Sequence, residues 1–275
     1  MNQEALKSAA DAIRNAAALV ITSGAGMGVD SGLPDFRGDQ GFWNAYPMYQ
    51  RLKLSFVQAA NPVHFENDPH FGWGFYGHRT ELYRRTVPHK GFALLQDWIK
   101  RYRLDHFVVT SNVDGQFQKA GFSDTITLEV HGSIHHLQCT TPCSHQIWAN
   151  TENFDIDFET MRAGHTPRCP NCQSIARPNI LMFGDYSWLY HRTSAQEERF
   201  QLFLQQTSGQ PLVVVEMGAG TSIPTIRSLS EQLGQRHGAK VIRINPREAQ
   251  ISGGHIALPC GSVAGLAGIE AQLQS

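Results

Sequence analysis

Apolar and polar positions along this chain switch between two periods, and each switch marks an element. The opening stretch MNQEALKSAADAIRNAA sets Ala5, Leu6, Ala9 and Ile13 on one side at helical spacing, which predicts an amphipathic helix. "AALVITSG" follows as an unbroken apolar run ending in glycine, the pattern of a buried strand. "HFVVTSN" (His106 to Asn112), "NILMFG", "PLVVVEMGAG" and "KVIRIN" repeat that pattern. Helical stretches such as "HKGFALLQDWIKRYR" and "SIPTIRSLSEQLGQRHG" lie between them. Short apolar strands interleaved with helices of roughly 10–15 residues predict an α/β fold with a doubly wound parallel sheet. The ligand of such a sheet sits beyond the carboxyl ends of its strands. Those ends read "TSGAG", "TSNVDG", "MGAGTS" and "INPRE", so all four are expected to converge on one crevice.

Two stretches break the alternation. Residues 41–87 are aromatic-rich and helical in pattern, with no strand-like run; residues 135–177 carry paired cysteines and little periodicity. The expected organisation is therefore a Rossmann-like sheet domain from 1–40, 88–134 and 178–275, with a helical insertion at 41–87 and a cysteine-bearing module at 135–177; the two insertions together could form a smaller lobe.

Charge narrows the partners. Twenty-three Lys+Arg against 24 Asp+Glu leave a formal net charge of −1, which offers neither a footprint for nucleic acid nor a basic patch for a membrane surface. No apolar run is long enough to span a bilayer. The first helix lacks the basic start and cleavage site of a signal peptide, so a cytoplasmic location is expected. Four of the five cysteines form two close pairs, Cys139/Cys143 and Cys169/Cys172. In a reducing compartment that pairing points to a closed, structural tetrahedral zinc site rather than disulfides. His135, His136, His145 and His165 are near enough in sequence to stand in for a ligand, and lone Cys260 reads as a small core residue.

The densest chemistry lies in "GAGMGVDSGLPDFRG", Gly24 to Gly38. Glycines straight after a strand let backbone N–H groups approach a pyrophosphate. Gly24, Gly26 and Gly28 are spaced G-x-G-x-G, which also suits a tight strand-to-helix turn with no ligand. Asp35, Phe36 and Arg37, following the rigid Pro34, suit a polar aromatic ring carried on a sugar. Asn112 and Asp114 lie at a strand's carboxyl end, where they can bond sugar hydroxyls or an amide. His131 follows the apolar "ITLEV" and should face the same crevice, either as a general base or as a histidine satisfied by backbone partners.

"GAGMGVDSGLPDFRG", "SNVDGQFQKAG", "EVHGS", the cysteine pairs, "RPNILMFGD", "GAGTS" and "INPRE" occur in this order from about Ala18 to Val263. Together they resemble the sirtuins, the Sir2-like NAD-dependent protein deacylases. The resemblance implies that Gly24, Ala25, Gly26, Asp35, Phe36 and Arg37 hold NAD, with Phe36 guarding the nicotinamide–ribose bond. It implies that Asn112 and Asp114 meet the ribose and the nicotinamide amide. Gly220, Thr221 and Ser222 would meet phosphate and sugar, and Asn245 the adenosine end. NAD is then consumed as a co-substrate, with Asn112 and His131 catalytic. His131 would remove a ribose proton, and acyl-lysine would become free lysine with nicotinamide and O-acyl-ADP-ribose as products. Phe183 and Gly184 of "FGD" would contact the substrate, and zinc would sit on Cys139, Cys143, Cys169 and Cys172.

Several positions depart from the family pattern. "GAGMG" replaces the usual "GAGIS", Ser111 stands where Gln is usual, and "FGD" replaces "FGE". The long motif and "IPTIR" look most like the macrodomain-associated branch, known for protein ADP-ribosylation, yet that branch typically lacks the catalytic His that "EVHGS" keeps. Tyr76 and Arg79 have the Y-x-x-R spacing of a desuccinylase-type pair, which implies an acidic acyl group. The same spacing also occurs on any amphipathic helix, with Arg79 pairing to Glu81 or Asp97. The leading expectation is a lysine deacylase; the alternatives are a mono-ADP-ribosyltransferase, an NAD glycohydrolase and a non-catalytic NAD sensor.

Overall fold

The computed structural model describes residues 2–34 and 38–275. Helix α1 (Gln3–Arg14) buries Leu6, Ala9, Ala10 and Ile13, as its spacing predicts. The strands follow in chain order: β1 (Ala18–Ser23), β2 (Asp105–Thr110), β3 (Thr127–Glu129), β4 (Gly132–Cys139), β5 (Ile147–Ala149), β6 (Ile156–Asp157), β7 (Arg162–Ala163), β8 (Ala176–Ile180), β9 (Leu212–Met217), β10 (Lys240–Ile244) and β11 (Ile256–Leu258). Six of them form one sheet in the order β11-β10-β9-β1-β2-β3, and the pairings within it are parallel. The order reverses between β1 and β9, and this switch point is where an open α/β sheet parts its loops to admit a ligand.

Four longer helices cover the sheet: α1, α8 (Lys90–Tyr102), α11 (Thr225–His237) and α12 (Ser262–Gln274), with α10 (His191–Gln206) against β3. One apolar cluster joins α1, α8 and α12 to one face of the sheet, including Leu6, Ile21, Trp98, Val215 and Leu266. A second, with Val20, Phe107, Phe200, Val214 and Leu233, fills the other face. Both faces are covered, which is why β1 and β9 read as continuous apolar runs. Cys260 packs partly buried against the first cluster, as expected of a small core residue.

Polar residues inside those runs explain themselves in pairs. Glu216 on β9 stands in register with Arg243 on β10. Both are buried, and the guanidinium takes both carboxylate oxygens at 2.5 and 2.9 Å. Arg243 also reaches Glu231 at 2.9 Å and the carbonyl of Gln250.

The 41–87 stretch is helical as expected: α3 (Gly38–Ala45), α4 (Pro47–Arg51), α5 (Phe56–Ala59), α6 (Val63–Asn67) and α7 (Pro69–Arg85). Its rings, among them Phe42, Tyr49, Phe75 and Trp73, form a third apolar cluster shared with Ile134, Leu137 and Ile180 of β4 and β8, and Trp73 stacks on Phe154. The remaining short helices are α2 (Gly26–Val29) and α9 (Gln116–Lys119). The apolar run "NILMFG" does not extend the large sheet. Its first residues close β8, which pairs antiparallel with β4 in a small sheet ordered β5-β4-β8. Gly132, at φ 78, makes this possible, because a Cβ there would lie 2.1 Å from the Asn179 carbonyl oxygen. β6 and β7 form a separate two-stranded ladder against α7.

Candidate active site

Two glycine loops meet at the switch point between β1 and β9. A Cβ on Gly24 would lie 2.8 Å from Ala219 Cα, and one on Gly218, at φ 61, would lie 2.3 Å from the Gly26 carbonyl carbon. Backbone bonds fasten the contact, with Gly24 N–H donating to Met217 O and Gly26 N–H to Gly218 O, both at 3.0 Å. Only residues without side chains bring the loops this close. Gly28 serves differently: its missing Cβ makes room for Leu33, and its carbonyl turns the chain toward Pro34. A cleft of about 370 Å³ opens beside this turn, lined by Val29, Gly32, Leu33, Pro34, Tyr46 and His78. Asp35, Phe36 and Arg37 lie outside the described residues.

The end of β2 closes one side of the crevice. Asn112 donates its side-chain N–H to Gly24 O at 3.0 Å, and its backbone N–H goes to Thr110 Oγ1. Ser111 binds Ser23 O through its backbone N–H and more distantly through its hydroxyl. Asp114 is buried and accepts from Gln116 N–H. Burial pushes its carboxyl up to about 6, with the Gln116 bond and the Arg79 charge pulling the other way.

His131 sits in the turn between β3 and β4 and is half-buried. Its carbonyl accepts from Leu181 N–H, tying it to the start of the 181–190 loop. Burial holds its imidazole below the ordinary value of 6.5, against a backbone hydrogen bond with Ser111 that works to raise it. The ring is therefore neutral at pH 7 and can accept a proton.

At the far end of the crevice, Asn245 is wholly buried. Its side-chain N–H goes to Ala219 O, and its Oδ1 accepts from the N–H groups of Arg247 and Glu248. It thus ties the loop after β9 to the loop after β10. Gly220 is half-buried, while Thr221 and Ser222 are exposed there. Glu248 binds both donors of Thr221, the hydroxyl at 2.5 Å and the N–H at 3.2 Å. The sequence reading passed over Glu248 although it lies in "INPRE", where the strand-end rule that found Asn245 applies equally.

Tyr76 and Arg79 lie on α7, both buried. Arg79 donates from Nε to Tyr83 OH at 2.9 Å and lies over the rings of Phe75, Tyr76 and Tyr83. Glu81 is engaged elsewhere, with Arg84 and the Phe154 N–H. Gln116, two residues after Asp114, donates its side-chain N–H to the Tyr83 carbonyl on α7, and the Arg79 charge works to lower the Asp114 carboxyl; the "FGD" loop follows β8. In that loop Phe183 N–H donates to Ala60 O, and Gly184 turns at φ 67. Asp185 anchors it through a buried pair with Arg177 at 2.5 Å and bonds from the N–H groups of Met182 and Ser187.

The four cysteines gather at one end of the small sheet. Their sulfur atoms all lie within 4.8 Å of one another, with Cys139–Cys172 and Cys143–Cys169 at 3.6 Å. A tetrahedron of Zn–S bonds of about 2.3 Å has S···S edges of about 3.8 Å, so the set fits zinc with no place left for a reacting ligand. The metal-ligand cluster holds the four cysteines alone among the described residues; His135 goes to Asp114 O at 2.9 Å, His165 to Glu152, His145 lies against the ring of His191, and His136 keeps a buried Nδ1 without a hydrogen-bond partner.

Comparison with known proteins agrees with this geometry. Residues 24–209 match the Sir2 family. The chain is 30% identical over 247 residues to "NAD-dependent protein deacylase 1" of Caldanaerobacter subterraneus, covering 89% of each chain. It is 28% identical to "NAD-dependent protein deacylase" of Thermococcus kodakarensis, covering 89% of this chain and 86% of that one. A solved Sir2 homologue–NAD complex superposes with a TM-score of 0.72 at 24% identity, over 100% of this chain and 94% of that one, and so shares the fold.

Proposed function

The chain belongs to the Sir2 family, and from that premise we propose that it is an NAD-dependent protein lysine deacylase with structural zinc on Cys139, Cys143, Cys169 and Cys172. The observation that carries the reading is the junction itself. A neutral half-buried histidine, an asparagine bonded to Gly24 O and a buried carboxyl surround two glycine loops at the sheet's switch point. Bound NAD supplies an electrophilic anomeric carbon and leaves as nicotinamide and O-acyl-ADP-ribose.

The chain's own groups do the rest. Gly24, Ala25 and Gly26, with Asp35, Phe36 and Arg37, receive the phosphates and the nicotinamide ribose. Asn112 fixes the ribose edge, and Asp114 accepts the carboxamide N–H of nicotinamide. Gly220, Thr221 and Ser222 receive the adenosine side, above the floor that Asn245 braces. His131 takes the ribose hydroxyl proton as a base already neutral near pH 7. Tyr76, Arg79, Phe183 and Gly184 hold the acyl-lysine end, with Arg79 suited to a distal carboxylate. A clustered four-thiolate site also favours a reducing cytoplasm. Among the described residues no helix is long and apolar enough to cross a membrane.

The test is nicotinamide release from NAD with and without an acyl-lysine peptide. Deacylation gives one nicotinamide per lysine freed, and release that ignores the peptide would sink the proposal.

A further inference from the structure

Helix α8 begins at His89, whose ring spans two elements. Its Nδ1 accepts from the Gly91 N–H at 3.0 Å, capping α8, and its Nε2 lies 2.9 Å from the Met27 carbonyl oxygen in α2. The partners fix the proton. A carbonyl only accepts and an amide only donates, so Nε2 carries the hydrogen, Nδ1 carries a lone pair, and the ring is neutral. The His89 backbone N–H adds a third bond, to Ser31 Oγ at 3.0 Å. The ring also needs Gly91, since a Cβ there would lie 2.7 Å from its Cε1.

Resting on the NAD-binding reading of the Gly24–Gly28 loop, we infer that His89 is a positioning residue for that loop: its neutral Nε2–H tautomer ties α2 to the start of α8 and keeps the glycines at the switch point. A second proton would have to sit on Nδ1, facing the Gly91 N–H, and would break the cap. Burial keeps the ring neutral, while the Met27 carbonyl and the Asp30 carboxylate pull toward protonation. Asp30 is the charged group that acts on the ring from the α2 side, and its carboxylate is itself bonded to the Val263 N–H at the start of α12. α12 presents Leu266 to the same corner, and α8 presents Phe92, ring to ring at 4.8 Å. Above the ring's depressed pKa the bridge is whole; as the pH falls through it, the bridge opens and the loop loses its tether.

The experiment follows protonation of the His89 ring by imidazole NMR and measures ADP-ribose binding by calorimetry at about pH 8 and at a pH where that ring is charged, for wild type and His89→Asn. Asn caps a helix without titrating and cannot reach Met27 as the ring does. The wild-type protein should bind about fivefold more weakly at the lower pH than the variant's own pH ratio accounts for, the effect of losing one cap. At about pH 8 the variant should bind ADP-ribose more weakly than wild type. Asp114 and His131 titrate alike in both proteins, so the difference in ratios isolates His89. Equal ratios would overturn the inference. If neither protein binds ADP-ribose, the NAD reading fails instead. The bridge is then judged by imidazole nitrogen shifts near pH 7.5: an Nε2–H tautomer upholds it, and an Nδ1–H or charged ring ends it.

Discussion

His131 accepts a proton only in its neutral form, and its shielded position decides when that form prevails. Burial lowers its pKa below 6.5, so the rate of acyl transfer should rise with pH, level off below pH 7 and fall as pH drops through the depressed value. Asp114, its carboxyl pushed up to about 6 by burial, loses its carboxylate as pH falls through that value, but acts through cofactor affinity rather than proton transfer. The two separate in a pH profile: Asp114→Asn should flatten the acid limb of kcat/KM for NAD and leave that of kcat in place. A kcat limb that moves with Asp114 would contradict the assignment. Arg79 makes a second prediction at this scale. Arg79→Met should lower kcat/KM for a succinyl-lysine peptide about tenfold or more relative to an acetyl-lysine peptide, since a charge-assisted contact of about 1.5–3 kcal/mol disappears for only one of them. Measuring the ratio within one protein removes any loss of folded material, and an unchanged ratio would show that Arg79 serves the α7 core alone. Candidate residues next to sequence landmarks were legible from the chain. The partners of His89 and His135 were not, because they lie 62 and 21 residues away, and nothing local records where a ring will reach.

At the scale of elements, the close approach of the β1 and β9 loops is the feature most sensitive to change. Gly218→Ala would force a Cβ to within 2.3 Å of Gly26 at a left-handed φ, so it should raise KM for NAD about tenfold or more while the fold persists. Full affinity in that variant would show that the two loops separate freely. The buried Glu216–Arg243 pair joins β9 to β10 without touching the crevice. Glu216→Gln leaves a buried guanidinium half-paired and should destabilise the protein by about 3–5 kcal/mol in a denaturant titration; a change under about 1 kcal/mol would mean Glu231 suffices alone. The parallel sheet was legible because strands buried on both faces are apolar throughout. The same feature misplaced "NILMFG", since an apolar run does not say which sheet receives it. That choice was made by the positive φ of Gly132, which turns β4 onto β8. The register sets Glu216 and Arg243, the charged residues within two apolar runs, side by side.

Taken whole, the helical 41–87 stretch and the cysteine-bearing small sheet share one apolar cluster, and the Leu181 N–H ties the loop after β8 to the His131 carbonyl. The metal belongs to this scale. Chelating zinc or replacing Cys139 with Ser should loosen β4, β5 and β8 together and lower the melting temperature, with no new chemistry at the crevice, because the sulfur cage is closed. The central claim is that ADP-ribose ends on the acyl group, and that His131 puts it there. The most direct measurement is mass spectrometry of the products from NAD and an acyl-lysine peptide, with wild type run beside His131→Ala. The expected result is O-acyl-ADP-ribose from the wild type and its disappearance in the variant. ADP-ribose attached to protein or free in solution, at equal levels in both, would contradict the account and assign the chain to ADP-ribosyl transfer or NAD hydrolysis.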